Sequence, residues 1–149
     1  MSEFVVIGLG WLGIYGAFAL AAIGSMIGCT VAGQAACGAL LEIESGHGRM
    51  IGAAAMPASQ SIYGLVVMLT LNRPVTPENA PGLLVVGMLA GVAMMISAIY
   101  QGLCCASAIN VSKSRSEIFG LSITPAAFVE GFAVFTFAFA LLLAGDIPR

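Results

Sequence analysis

The sequence predicts an all-α membrane protein whose four transmembrane helices form two tandem, duplicated helical hairpins. Composition is the first reason, because 60% of the 149 residues are hydrophobic and only 8% are charged, with a mean hydropathy of +1.04. The second is the placement of the charges, which leaves four stretches longer than the roughly 20 apolar residues that span a bilayer. The third is an internal repeat. This composition excludes a soluble domain and a disordered chain.

The first predicted hairpin covers residues 1–71. Its helices lie at about residues 4–41 and 50–71, and neither stretch contains a Lys, Arg, Asp or Glu. The charged segment 42–49 between them is predicted to be the turn of the hairpin. Almost nothing of this half is left to form a soluble domain.

The first helix carries a face of small residues along its whole length. Gly and Ala recur at steps of three and four and at intervals of eleven, which is close to three helical turns. Small faces let helix backbones approach closely in lipid. The face packs either inside one hairpin or between the first helices of several copies in a ring, and its length and regularity favour the ring. The residues assigned to ring packing are Gly13, Ala17, Gly24, Gly28, Ala32 and Ala35.

The second predicted hairpin covers residues 83–149 and follows a loop at 72–82. Its helices lie at about residues 83–109 and 118–145, and the charged segment 111–117 joins them. The last of these helices is apolar throughout except for one glutamate.

The second half of the chain repeats the first. Pro57 in the second helix corresponds to Pro125 in the fourth, and a glycine precedes each proline at the same spacing, which gives an offset of 68 positions. Both halves have the same orientation because each is a complete hairpin. In this register Glu130 falls opposite Ile62, so the first hairpin lacks the carboxylate.

Basic residues indicate the orientation in the membrane. The two hairpin loops, 42–49 and 111–117, hold three Lys or Arg residues together, whereas the middle loop and the C-terminus hold one each. The positive-inside rule then predicts cytoplasmic hairpin loops, with the middle loop and both termini outside. The chain is expected to be a multi-pass protein of the cell membrane.

Glu130 is the residue that points most directly to a function. A carboxylate near the bilayer centre costs roughly 2.5 to 3.5 kcal/mol on insertion scales, and such residues usually mark an ion or substrate path. Counted from the hairpin loops, Glu130, Gln60 and Gln101 lie at depths that agree within about 6 Å, one helical turn. Ser59 adjoins Gln60. Three helices are therefore predicted to present oxygen-bearing side chains at one level.

Carboxylate, amide and hydroxyl oxygens suit a hard cation. Carrying a proton requires only Glu130, so the additional Gln60, Gln101 and Ser59 favour Na⁺ as the bound ion over H⁺. Two simpler roles stay open. The glutamines either bind the ion or hydrogen-bond between helices, and Tyr63, one turn beyond Gln60, either caps the site with its hydroxyl or only packs.

The two prolines bear on the same level of the membrane. Proline has no backbone N–H, so the carbonyls of Ala53 and Leu121 lose their usual helical donors, Pro57 and Pro125. A carbonyl freed in lipid needs another partner, and the ion is one candidate.

These features resemble the proteolipid ring subunit of V-type and A-type rotary ATPases, called subunit K or the c-type proteolipid. The resemblance covers nearly the whole chain and is greatest to bacterial Na⁺-translocating members. It implies that Ser59, Gln60, Gln101 and Glu130 hold the ion and that Met56 offers its backbone carbonyl. The motifs that carry it, besides the two hairpins and the Gly-rich first helix, are Met56-Pro57-Ala58-Ser59-Gln60, Ile62-Tyr63-Gly64, Gln101-Gly102 and Glu130.

The resemblance also implies partners and a mechanism. Copies of the chain would assemble into a ring that turns in the lipid against a stator subunit of the a/I type, while the cytoplasmic loops contact a central-stalk subunit. Each Glu130 would load an ion, cross the lipid-facing stretch neutralised, and unload where a stator arginine displaces the ion. ATP hydrolysis elsewhere would drive rotation, or ion flow would drive synthesis.

The chain itself is expected to be a non-catalytic subunit. It contains no phosphate-binding Gly-Lys-Ser/Thr loop and therefore no predicted nucleotide site, and no cofactor is expected besides the transported Na⁺ or H⁺. Its net charge of −2 is spread over scattered positions, which argues against nucleic acid as a partner. A less favoured function is a small four-helix antiporter that exchanges cationic drugs for protons, but the small face of the first helix argues for close packing without a cavity. A purely structural scaffold leaves Glu130 unexplained.

Overall fold

The computed structural model describes residues 2–149, which contain helices, turns and no strand. The short 3₁₀ turn Met56–Ala58 interrupts the second membrane span, which runs from His47 to Leu71, and the 3₁₀ turn Ser116–Ile118 begins the fourth, which runs from Ser116 to Asp146. Four spans are long and apolar enough to cross a membrane, which confirms the predicted all-α architecture. The α-helices are α1 Glu3–Leu40, α2 His47–Ala55, α3 Ser59–Leu71, α4 Ala80–Ser114, α5 Phe119–Ser122 and α6 Thr124–Asp146.

The helices extend beyond the apolar stretches that predicted them. Helix α4 runs from Ala80 to Ser114 instead of 83–109, so the predicted loop 111–117 is helical except at Arg115. Residues 47–49 of the predicted loop 42–49 likewise belong to α2. The reason is that a charged residue marks where hydrocarbon ends, whereas a helix continues into water as long as its backbone hydrogen bonds are made.

The closest helix pair is α1 with α4, and the two run parallel. Gly13 lies against Gly87, and Gly28 lies against Gly102, so the same register holds over four helical turns. A Cβ atom at any of these four positions would collide with the backbone of the opposite helix. Glycine is needed here because it lets the two backbones touch in an environment where helices associate through packing.

The small face of α1 is occupied within one chain. Five of the six residues assigned to ring packing, all except the half-exposed Ala35, are buried against other helices of the same chain. Gly13, Gly24 and Gly28, for example, contact the backbone of α4. The close approach that this face permits is thus made between α1 and α4, which belong to the two different hairpins of one chain. The sequence predicts the contact inside one hairpin or between copies and does not predict this pairing, which does not require a second copy.

The two hairpin turns lie at one end of the bundle. Lys113 forms an ion pair with Glu42 across them, with an Nζ–Oε1 distance of 3.0 Å, and the guanidinium of Arg49 lies 5.4 Å from the centre of the Phe119 ring. At the opposite end, Arg73 of the middle loop donates to the carbonyl of Ile147 near the C-terminus. Which end faces the cytoplasm stays a prediction.

Two apolar clusters divide the interior. One lies toward the middle loop and includes Leu71, Leu83 and Met94. The other lies toward the hairpin turns and includes Met50 and Ile109. The buried polar residues Gln60, Ser97 and Gln101 lie between these clusters, which places them near mid-membrane.

Candidate ion-binding site

The second span presents its polar residues directly after a proline. Pro57 cannot donate a backbone hydrogen bond, and the helix tightens into the 3₁₀ turn Met56–Ala58 before α3 begins at Ser59. In this turn the N–H of Met56 donates to the Ala53 carbonyl.

The carbonyl freed by Pro57 therefore finds a backbone partner. The N–H of Met56 donates to the Ala53 carbonyl, so that carbonyl is not left free for an ion. Local 3₁₀ tightening supplies the missing donor, as is common for prolines in membrane helices. Beside the second proline the N–H of Ile123 donates to the Phe119 carbonyl at 3.0 Å, and the role of the Leu121 carbonyl stays a prediction.

Gln60 and Gln101 bind each other in the centre of the bundle. Both side chains are fully buried, and the Gln60 amide Nε2 donates to Gln101 Oε1 at 2.9 Å. The two residues face each other from α3 and α4. Among the described residues, no buried side-chain nitrogen or oxygen lacks a hydrogen-bond partner, so this network is closed.

Glu130 accepts hydrogen bonds from two other spans. Gln101 Nε2 donates to its Oε2 at 3.1 Å, and the Tyr63 hydroxyl donates to its Oε1 at 3.2 Å. Hydrogen bonds to an ionised carboxylate are roughly twice as strong as neutral ones, which offsets part of the cost of placing the half-buried Glu130 in lipid. Gln101 Nε2 also donates to the Ala126 carbonyl at 3.3 Å.

The amides thus form a directed chain from Gln60 through Gln101 to Glu130. Each glutamine donates toward the fourth span through its nitrogen. Gln101 consequently turns its nitrogen, and not its oxygen, toward the carboxylate. Gln60 reaches Glu130 only through Gln101.

Ser59 lies on the far side of Gln60 and gathers two further oxygens. Its hydroxyl lies 3.0 Å from the Met56 carbonyl and 3.2 Å from Gln60 Oε1. Three oxygens of the second span therefore lie together, and Ser59 makes no direct bond to Glu130. The predicted residues occupy one level, arranged as an oxygen cluster next to a hydrogen-bonded carboxylate.

Tyr63 combines the two roles that its position suggested. Its hydroxyl binds Glu130, and its ring stacks on Phe137 with 5.3 Å between centroids and 28° between planes. Phe137 lies two helical turns beyond Glu130 on the same face of α6, so both contacts hold Tyr63 against the fourth span.

Sequence reasoning missed the part that Ser97 plays. This buried serine of α4 donates to the Val129 carbonyl at 2.9 Å and accepts from Gln60 Nε2 at 3.4 Å. By residue type alone it is one of several small residues along α4. Its spacing of one helical turn before Gln101 was a signal that it shares the face of that glutamine.

Comparison with known proteins matches both halves of the chain to one family. The model of the ATP synthase C-subunit family matches residues 12–71 and again residues 84–143. The two segments start and end 72 positions apart, one helical turn more than the offset of 68 that the prolines gave. The residue opposite Glu130 is Ile62 at an offset of 68 and Ala58 at an offset of 72, so at either offset the first hairpin has no carboxylate there.

A curated relative supports the same grouping. The chain is 32% identical over 122 residues to the A-type ATP synthase subunit K of Methanocaldococcus jannaschii. The match covers 80% of this chain and 56% of the relative, so the chain spans little more than half the length of that protein.

Proposed function

The chain belongs to the ATP synthase C-subunit family, and we propose that it is the ion-carrying rotor ring subunit in the membrane sector of an A/V-type rotary ATPase. One observation carries the proposal: Glu130 of the fourth span is held by donors from the second span, Tyr63, and the third, Gln101. A single half-buried carboxylate that accepts hydrogen bonds from two neighbouring spans is suited to bind a cation reversibly within the membrane. Family membership also removes the drug-exporting alternative.

We propose Na⁺ as the cargo. The oxygens that would surround it are those of Glu130, Gln60, Gln101 and Ser59, together with the Met56 carbonyl, and such oxygens suit a hard cation. The charge of Glu130 neutralises one Na⁺, which removes most of the electrostatic cost of placing the carboxylate and the cation in lipid. In the present hydrogen bonds, Gln60 Oε1 and Ser59 Oγ are already 3.2 Å apart, so part of the ligand set is assembled.

The proposed mechanism uses several copies in a ring. Each copy takes up one ion at Glu130 from an access path beside an a/I-type stator subunit, passes through lipid neutralised, and releases the ion at a second path. The same geometry serves ATP-driven pumping and ion-driven synthesis. Each copy carries one ion per rotation because only the second hairpin has the carboxylate.

A polar groove supports a stalk contact at the hairpin turns. It encloses about 310 Å³ and is lined by charged residues of both signs, including Glu42, Glu44, Arg49, Lys113 and Glu117. We assign this end to the cytoplasm, with loops 42–49 and 111–117 facing a central-stalk subunit and both termini outside.

The runner-up cargo is H⁺, and one contact favours it. The Tyr63 hydroxyl that donates to Glu130 can rotate and accept instead, so a protonated Glu130 would also have a hydrogen-bond partner. The proton alternative needs none of the oxygens around Ser59.

Carbodiimide labelling of Glu130 in the assembled complex tests the proposal. At fixed pH, millimolar Na⁺ is expected to protect Glu130 from labelling, whereas the same concentration of K⁺ is not. Equal labelling with and without Na⁺ would reject the Na⁺ cargo and leave H⁺. If the chain migrates as a monomer after extraction under conditions that keep the complex intact, the ring is rejected.

A further inference from the structure

Ser97 connects three membrane spans through one hydroxyl. It is 7% exposed, and from α4 it binds Val129 of the fourth span and Gln60 of the second. A serine hydroxyl has a single proton. At a distance of 2.9 Å this proton is used by the Val129 carbonyl, so toward Gln60 the Ser97 oxygen acts only as an acceptor.

This constraint determines which end of the Gln60 amide faces α4. Its nitrogen end satisfies both Ser97 Oγ and Gln101 Oε1. A reversed amide would bring Gln60 Oε1 against these two oxygens without a proton between them, and an unsatisfied buried acceptor is costly. The nitrogen end therefore faces α4, and Gln60 Oε1 points toward Ser59.

The orientation of Gln101 depends on charge, whereas that of Ser97 does not. Gln101 turns its nitrogen toward Glu130 because that side chain and the Ala126 carbonyl both accept from it. When a cation or proton neutralises Glu130, part of this preference is lost. The partner of the Ser97 proton is a backbone carbonyl, which stays an acceptor in every state of the site.

We propose that Ser97 is a positioning residue for ion selectivity, which holds the Gln60 oxygen toward the cation site while Glu130 is neutralised. This inference rests on the proposed Na⁺ cargo. Ser97 itself need not touch the ion. Its effect is to keep the Gln60 oxygen available as a ligand, which matters for Na⁺ binding and is irrelevant to protonation of Glu130.

Ser97→Ala in the assembled complex tests this role by Na⁺-dependent carbodiimide labelling. Loss of one buried hydrogen-bond acceptor is expected to raise the Na⁺ concentration for half-protection about three- to tenfold. The labelling rate without Na⁺ is expected to stay unchanged, because Tyr63 and Gln101 still contact Glu130. Ser97→Cys is close to serine in size but weak in hydrogen bonding, and it is expected to behave like Ser97→Ala. If the alanine variant fails to assemble, the half-protection concentration of the cysteine variant tests the role of Ser97.

Ser112→Ala is the matched control. Ser112 is also a buried serine of α4, but its hydroxyl donates to Ala108 in its own helix, and this variant is expected to retain the wild-type Na⁺ dependence. An unchanged half-protection concentration in both Ser97 variants would overturn the inference. So would equal shifts in Ser97→Ala and Ser112→Ala, or a parallel rise in labelling without Na⁺, since either would indicate general loosening. Absence of Na⁺ protection in the wild type is a separate result that rejects the Na⁺ cargo and, with it, this role.

Discussion

Replacing Tyr63 with phenylalanine isolates one donor to the Glu130 carboxylate. The substitution removes the hydroxyl that lies 3.2 Å from Glu130 Oε1 and keeps the ring. Because that ring stacks on Phe137 at a centroid distance of 5.3 Å, phenylalanine is expected to stay in place. The variant therefore tests the hydrogen bond and leaves the packing intact.

The size of the effect follows from the kind of bond. A hydrogen bond to a charged group contributes about 1.5 to 3 kcal/mol, and a smaller contribution is expected here because Glu130 is only half-buried and keeps the bond from Gln101. A loss of about 1 to 2 kcal/mol corresponds to a factor of about five to thirty. The hydroxyl stabilises the carboxylate form that the cation would bind, so its loss is expected to weaken Na⁺ binding.

The assay is the Na⁺ concentration that half-protects Glu130 from carbodiimide at fixed pH. We expect it to rise about five- to thirtyfold in Tyr63→Phe. Tyr15→Phe is the control, since Tyr15 is an exposed tyrosine of α1, and it is expected to match the wild type. A Tyr63→Phe ring that assembles normally and needs no more Na⁺ than the wild type would refute the assigned role of the hydroxyl.

Three further substitutions test the site and the fold. Glu130→Gln is expected to abolish labelling and ion transport but to preserve the ring in gel mobility, because the amide oxygen still accepts from Gln101; transport by this variant would contradict the proposal. Gly87→Ala is expected to destabilise the complex by about 1 to 3 kcal/mol, because the added Cβ meets the Gly13 backbone. Gly33→Ala is the control: its Cβ enters open space, and the variant is expected to be neutral or more stable by up to about 1 kcal/mol. Equal melting temperatures for both variants would be inconsistent with close α1–α4 packing. Arg73→Ala removes donors that lie 2.9 Å from the Ile147 carbonyl and 3.1 Å from the Ala144 carbonyl. Hydrogen exchange is therefore expected to accelerate at the end of α6 and not at the hairpin turns. Unchanged exchange at the end of α6 would show that Arg73 does not hold this end.

The sequence predicts the spans well because charge placement and length decide them. It predicts the helix ends poorly, as α4 shows by continuing to Ser114. Hydropathy reports the lipid boundary, and the helix does not stop there. The sequence also did not predict that α1 pairs with α4. A small face shows that something packs closely, but Gly13 carries no information about whether its neighbour belongs to the same chain.

The candidate site was predictable in depth and not in orientation. Counting residues places Gln60, Gln101 and Glu130 at one level, because the rise of a helix is fixed. Counting does not determine which end of an amide faces its neighbour, and that depends on partners such as Ser97. The backbone partner of the Ala53 carbonyl was not predictable for a related reason, since the backbone can tighten locally into a 3₁₀ turn.

The duplication explains why a hairpin without a carboxylate persists beside one that has it. Whether Ile62 or Ala58 is taken as the residue opposite Glu130, the first hairpin lacks the charge at this position. The residues that follow it, Ser59, Gln60 and Tyr63, supply the donor to Glu130 and the oxygens beside it. The two halves of the repeat are therefore complementary in the proposed function, one supplying the charge and the other most of the neutral ligands. Neither hairpin contains all the residues of the proposed site, which forms where α3 of the first hairpin meets α4 and α6 of the second.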